Sequence, residues 1–249
     1  MKVKRLVNTV LVILLLALVA LGVRELYMFL SAQDDNNALK EVAIKVPDDP
    51  DIDPEDPFNR YIDFDALQSI NPDIVGWIYI PDTMIDYPIL VGETDQYYLN
   101  RDYYGNYSSL GSIFAYAGVN LTKDNHVCMF GHNMISQQMF GGLDSYKSQD
   151  YADSHEFCYI YTPDRTKECT LISAFGCAKT DTIFELDKTG DTADLSKLYE
   201  ELQSRSIISR ELPENSGQVF SLATCDGYSG TPNRFTTHFT VTREKYVLD

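Results

Sequence analysis

Basic side chains are scarce in this chain: 20 lysines and arginines stand against 37 aspartates and glutamates in 249 residues. Three of the 20, Lys2, Lys4 and Arg5, come before residue 6, and no acidic residue comes before residue 24. The remainder holds 17 basic against 37 acidic side chains, a formal charge of −20. Such a surface repels phosphate backbones, which argues against nucleic acid as the partner. It reports solubility and names no substrate. Cysteine is also sparse, and its count of five is odd. At least one thiol is therefore free, and about 190 residues bury a core without a disulfide scaffold. Metal-ligand sets are thin. The Asp-rich run before Pro57 lacks the glycine and spaced carboxylates of a calcium loop, and His126, Cys128 and His132 have no evident fourth partner for zinc. No metal and no cofactor is expected. Internal repeats and low-complexity tracts are missing as well.

What is present begins with an apolar run. From Leu6 to Val23 only Asn8 and Thr9 are polar, and Val10 to Val23 has no polar side chain at all. With its continuation to Leu30 this is long enough to cross a bilayer core of about 30 Å. The expected layout is a cytoplasmic N-terminus over 1–5, a membrane anchor over 6–30, and everything later on the outer side, because positive charge precedes the run. A small-x-small site, Ala20-Leu21-Gly22, lies inside the apolar run and is followed by more apolar residues, so an anchor fits better than a cleaved signal peptide. Residues 31–57, rich in Asp, Asn, Pro and Glu, read as a solvated stalk, partly extended where proline recurs. A folded domain is expected over 58–249.

That domain reads as mainly β. Residues 64–70 carry apolar side chains at helical spacing with Asp63 or Asp65 as the cap, and the helix is expected to end before Asn71-Pro72. Strands are expected at 74–80, 85–90, 112–116, 126–130, 156–162 and 167–179, followed by a final pair at 218–224 and 234–242. A turn of helix at most falls at 97–102. Leu195, Leu198 and Leu202 mark a helix over 191–204 inside a long insertion, 180–216, and insertions of that length in a compact β domain are usually binding loops or lids. The simplest architecture is a closed barrel.

The final pair sets up the chemistry. Cys225 ends one strand, a turn cluster follows from Asp226 to Asn233, and Arg234 begins the next, so antiparallel pairing makes them neighbours. A nearby guanidinium lowers a thiol pKa from about 8.5 and never loses its own proton. Taken alone, the hairpin fits a buried strand cysteine and an edge-strand arginine better than a reactive pair. A cysteine acting on an amide also needs a base to protonate the leaving amine. Of four histidines, His126 and His155 start strands as ordinary polar residues, and His238 shares a strand face with Arg234. His132 follows the strand Val127-Cys128-Met129-Phe130 at the mouth of the expected barrel, a strand-end position like that of Cys225.

These features together resemble the sortases, the cysteine transpeptidases of Gram-positive cell surfaces: an anchor, a stalk, a β domain, FGHN around His132, SLATC at 221–225 and NRF around Arg234. DFDALQSINPDIVGWIYI, IDYPIL, DQYYLNRDYYG, GSIF and the helix-bearing insertion resemble class B in particular. The match covers nearly all of 58–249. It implies a sortase β-barrel of about eight strands with N-terminal helices and the insertion helix outside it. It also implies Cys225 as nucleophile, His132 as general acid/base and Arg234 as the group steadying the substrate oxygen. Thr224 takes the place of the threonine before the cysteine in the TLxTC signature; Ser221 replaces the first threonine, and Phe130 stands where tyrosine often precedes the GH pair. Phe130, Thr224, Tyr228 and the loop 180–216 are expected to select the peptide. The implied reaction cleaves a C-terminal sorting motif of a secreted protein after threonine and passes the acyl group to a peptidoglycan amine, or to a pilin lysine. A cysteine peptidase using the same pair, and a non-catalytic surface module, are the rival readings.

Overall fold

The computed structural model describes residues 2–45, 53–185, 195–227 and 230–247. Two compact units divide the chain, Met1–Val42 and Ala43–Asp249. In the first, α1 (Lys2–Ala43) is one continuous helix, long and apolar enough to cross a membrane. It continues well past Leu30, since residues 31–43 include Ala32, Ala38, Leu39, Lys40, Glu41 and Ala43 and hold neither proline nor glycine. The first half of the expected stalk is thus helical, and 46–52 lies outside the described residues.

The second unit starts upstream of Phe58. Strand β1 (Ile44–Lys45) pairs antiparallel with β2 (Tyr61–Ile62). Helix α2 (Phe64–Ile70) follows, with the Asp63 carboxylate accepting from the Ala66 N–H and Phe64 and Leu67 buried. Eight strands then close a barrel: β3 (Ile74–Tyr79), β4 (Asp86–Val91), β5 (Ile113–Ala115), β6 (His126–Phe130), β7 (Phe157–Tyr161), β8 (Arg165–Ala178), β9 (Val219–Cys225) and β10 (Asn233–Tyr246). Their order around the wall is β10-β8-β7-β3-β4-β5-β6-β9. Two joints, β4 with β5 and β6 with β9, are parallel. The sequence pattern anticipates all eight. It does not anticipate α3 (Gln149–Ser154) or the tight turns over Gly141–Lys147 before it, since a Gly-Gly pair and a short polar helix leave little periodicity to read.

Alternation along the strands divides two cores. Val127, Met129, Phe220, Leu222, Phe235 and Phe239 fill the barrel interior. On the other side of the same strands, Cys128, Phe175, Val219 and Ala223 pack under Leu198, Tyr199 and Leu202 of α4 (Leu195–Arg205), the insertion helix. That helix explains why the polar face of β10, Thr236, His238 and Thr240, is buried rather than wet. Tyr199 Oη lies 3.1 Å from Thr240 Oγ1, and Ser173 Oγ on β8 donates to Leu202 O at 2.6 Å.

Candidate active site

Strand register brings the three expected residues to one place. In the β9–β10 hairpin Cys225 lies directly opposite Arg234, and opposed residues of an antiparallel pair share a face. Parallel pairing of β6 with β9 sets Phe130 beside Ala223. Both strands run the same way, and β6 ends opposite Ala223, two residues short of the end of β9, so two residues further on His132 comes level with Cys225. Cys225 falls on the face of Ala223, away from the barrel interior. The site therefore sits on the outer wall beneath the insertion and not in the barrel mouth, because the interior is filled by side chains.

Hydrogen bonds hold each part. The Nε2 of His132 is 2.8 Å from Leu99 O. A carbonyl only accepts, so Nε2 carries the proton and Nδ1 of the neutral ring is the basic atom. Gly131 N–H donates to Ala223 O at 3.2 Å, Thr224 Oγ1 donates to Gly131 O at 2.8 Å, and Asn133 Nδ2 donates to Cys225 O at 2.7 Å. The Nη1 of Arg234 donates to Thr231 O at 2.8 Å and Asn233 O at 3.0 Å, which anchors the guanidinium in the hairpin loop. Other thiols are poorly suited to chemistry. Cys128, Cys158 and Cys169 are buried, and burial pushes the half-buried Cys177 thiol up to about 11.

A cleft of about 280 Å³ opens between these groups, and Cys225, His132 and Arg234 all line it. Its apolar wall is a run of rings in which Phe130 packs against Phe114, Tyr116 and Phe184 with centroids 4.7 to 5.7 Å apart. Phe184 comes from the insertion, and Asp181 fixes it there by accepting from Ile183 N–H and pairing with Arg205 of α4 at 2.7 Å. The Arg205 hydrogen bond holds the Asp181 carboxyl below its usual range. Thr224 lines the cleft too, yet is only 1% exposed with its hydroxyl committed to Gly131. Tyr228 lies outside the described residues, as does 186–194 of the insertion. Leu99 and Asn133 are the site residues that sequence reasoning misses. Leu99 contributes only a carbonyl, which leaves no side-chain signal, whereas Asn133 stands in the FGHN stretch and could have been singled out.

The chain is similar to known proteins. Sortase B of Staphylococcus aureus (strain NCTC 8325 / PS 47) is 30% identical over 174 residues, 69% of this chain and 71% of that protein. The chain belongs to the class B sortases. Sortase B of Listeria monocytogenes serovar 1/2a is 31% identical over 162 residues, 64% of this chain and 65% of that protein. Among solved structures, the Staphylococcus aureus sortase B-substrate complex superposes with a TM-score of 0.65 and 26% identity, covering 74% of this chain and 85% of that one. No family model matches. The chain is accordingly a cysteine transpeptidase with the mainly β, eight-stranded sortase barrel.

Behind the cleft wall the sortase barrel carries a buried polar chain. His126 Nε2 and His238 Nδ1 each lie 2.7 Å from Ser221 Oγ, and His238 Nε2 lies 2.9 Å from Thr236 Oγ1, which donates to Phe175 O at 3.0 Å. Donor arithmetic fixes its direction. Thr236 must accept from His238 Nε2–H, so His238 Nδ1 accepts from Ser221, and Ser221 accepts from His126 Nε2–H. His126 Nδ1 is then a bare lone pair, in keeping with its lack of a partner. His126 is thus interior and not the ordinary strand-start residue its sequence position suggests, because α4 and its approach cover the outer face of β6. Serine at 221 supplies the hydroxyl that joins both rings.

Burial lowers the His126 pKa to about 4 and pushes His238 well below its ordinary value, the latter also opposed by His126 and Arg205. Both rings are neutral in the fold, whereas the unfolded chain binds their protons below pH of about 6.5. Their stabilisation is full above that pH and is lost as pH falls, at about 3 kcal/mol for His126 by pH of about 4. Thermal melts from pH 7 downward are expected to fall more steeply for the wild type than for His126→Gln. Equal slopes would contradict the assignment.

Proposed function

We propose that α1 holds this sortase in the membrane with its N-terminus inside and its barrel on the outer face. There it cleaves a sorting motif of secreted proteins after threonine and passes the acyl group to a cell-wall amine. The observation that carries the chemistry is the pairing of Cys225 with Arg234, level with His132. In the proposed first half, His132 Nδ1 takes the thiol proton and Cys225 Sγ attacks the carbonyl carbon after threonine. The C–N bond then breaks, and His132 returns the proton to the leaving amine. Arg234, through the guanidinium N–H groups that do not bind Thr231 and Asn233, stabilises the oxyanion. In the second half an amine attacks the thioester, His132 takes its proton, the C–S bond breaks, and His132 returns the proton to the departing Cys225 thiolate.

Phe130 and Phe184 suit apolar parts of the motif, while Thr224 holds the Gly131 end of the histidine loop; Tyr228, outside the described residues, is proposed as a substrate contact from its sequence position alone. A Staphylococcus aureus sortase B has been solved as a complex with substrate, which supports a substrate partner of this general kind. The acidic surface offers no basic footprint for nucleic acid. Product analysis tests the reading: the full chain is incubated with LPxTG-like and NPxTN-like peptides, with and without triglycine or a lysine-bearing peptide. The expected result is a ligated product that appears only with the amine and is absent from Cys225→Ala. Cleavage unaffected by either amine would identify a hydrolase instead, and ligation to the lysine peptide alone would redirect the acceptor to a pilin.

A further inference from the structure

The nucleophile and the histidine stand on separate segments, 225 at the end of β9 and 132 beyond β6, and chemistry requires their separation to be fixed. Thr224 Oγ1 ties β9 to Gly131 O at 2.8 Å, and a second side chain reaches the nucleophile itself. Asn133, next to His132, donates from Nδ2 to Cys225 O at 2.7 Å and to Asp144 Oδ2 at 2.8 Å. Lys147 Nζ then lies 2.7 Å from Asp144 Oδ1 and 2.7 Å from Asp226 Oδ1, the residue after the nucleophile, and sits 4.9 Å over the Phe235 ring. The circuit runs from 133 to 144 to 147 to 226 and returns through the backbone to Cys225. It ties the histidine loop to both sides of the Cys225–Asp226 peptide.

The loop carrying Asn133 is itself closely built. Asn133 bridges Met139, Phe140 N–H donates to His132 O at 3.1 Å, and Gln137 and Met139 adopt positive φ of 64° and 53°. A Cβ on Gly141 would lie 2.2 Å from Met134 O. Loop and nucleophile strand are thus joined by two direct side-chain bonds, and the Asn133 amide is the one that reaches the main chain of Cys225 itself.

We propose that Asn133 is a positioning residue of this transpeptidase, setting the His132–Cys225 geometry through Cys225 O, with Asp144, Lys147 and Asp226 orienting its amide. This rests on the reading of His132 and Cys225 as the reacting pair. Stability is not the purpose of the circuit: Asp144, Lys147 and Asp226 side chains are 33%, 42% and 36% exposed, and exposed ion pairs contribute little. Geometry is sensitive instead, since a misplacement of about 1 Å can slow a reaction by about 10²-fold.

The test is the pH dependence of Cys225 alkylation by iodoacetamide in the full chain, read by peptide mapping, for wild type, His132→Ala, Asn133→Asp, Lys147→Met and Lys147→Arg. Asn133→Asp keeps the shape but removes both donated bonds. Its profile is expected to move to that of His132→Ala while its melting temperature stays near wild type. Lys147→Met shifts part of the way, and Lys147→Arg restores the wild-type profile. A wild-type profile in Asn133→Asp would overturn the proposal, whatever its melting temperature. Identical profiles for wild type and His132→Ala would overturn the reading of the reacting pair, and the proposal with it. Should the aspartate variant fail to fold, Asn133→Ser, which is smaller and too short to reach Asp144, takes its place, with the same expected shift and the same overturning result.

Discussion

Replacing Arg234 with lysine is expected to slow thioacyl formation by about 10²- to 10³-fold, the scale of losing one preorganised oxyanion donor, although the positive charge is retained. Lysine cannot reproduce the arrangement. The Arg234 fork donates from Nη1 to Thr231 O and Asn233 O, and those bonds aim the rest of the planar group across the hairpin at the level of Cys225. An ammonium on a flexible stem carries its three donors at one point and would serve either the loop carbonyls or the substrate oxygen. The loss should appear in kcat far more than in KM, because the donor matters most when the oxygen becomes charged. Single-turnover kinetics with a cleavable peptide check this. An unchanged rate in Arg234→Lys would remove the guanidinium from the proposed mechanism and leave it a loop anchor.

Gly111→Ala is expected to cost up to about 10²-fold in turnover, by analogy with other small misplacements of a reacting group, though Gly111 touches no reacting atom. Its φ is +59°, and a Cβ there would meet Leu99 O at 2.4 Å and Tyr98 O at 3.0 Å. The Leu99 carbonyl would have to move, and with it the bond that holds His132 Nε2–H. Freed of that bond, the ring is no longer restricted to the tautomer with a basic Nδ1. Left-handed backbone at alanine adds a stability loss of about 1–2 kcal/mol, so melting temperature must be measured alongside. The distinguishing readout is the pH–rate profile. A folded Gly111→Ala protein with a displaced profile supports the tautomer argument, and one with an unaltered profile and rate contradicts it.

Much of this was legible in the chain because it is local. The eight strands, the capped helix at Phe64–Ile70 and the hairpin that opposes Cys225 to Arg234 all follow from side-chain alternation and turn chemistry over short spans. The pairing of His132 with that hairpin is different. It depends on parallel register between β6 and β9, and nothing in the spacing of two strands so far apart encodes parallel neighbours. The same holds for the outer-wall location. Alternation assigns Ala223 and Cys225 one face, but which face is interior depends on the closure of the whole barrel and on α4 covering the other side. The buried His126–Ser221–His238 chain was hidden for the same reason, since each residue reads singly as an ordinary strand polar group. The start of the folded unit at Ala43 and the long α1 escaped because composition marked 31–57 as one acidic segment, although its first part lacks any helix breaker.

The most direct measurement is the intact mass of the full chain after brief exposure to a cleavable sorting-motif peptide without any amine acceptor, followed by acid quenching and mapping of the modified peptide. A thioester has no efficient acceptor under those conditions and should accumulate. The expected result is an adduct equal to the acyl fragment ending in threonine, located on Cys225, missing in Cys225→Ala and discharged on addition of triglycine. Peptide cleavage with no adduct on Cys225, or an adduct on another cysteine, would contradict the proposed mechanism.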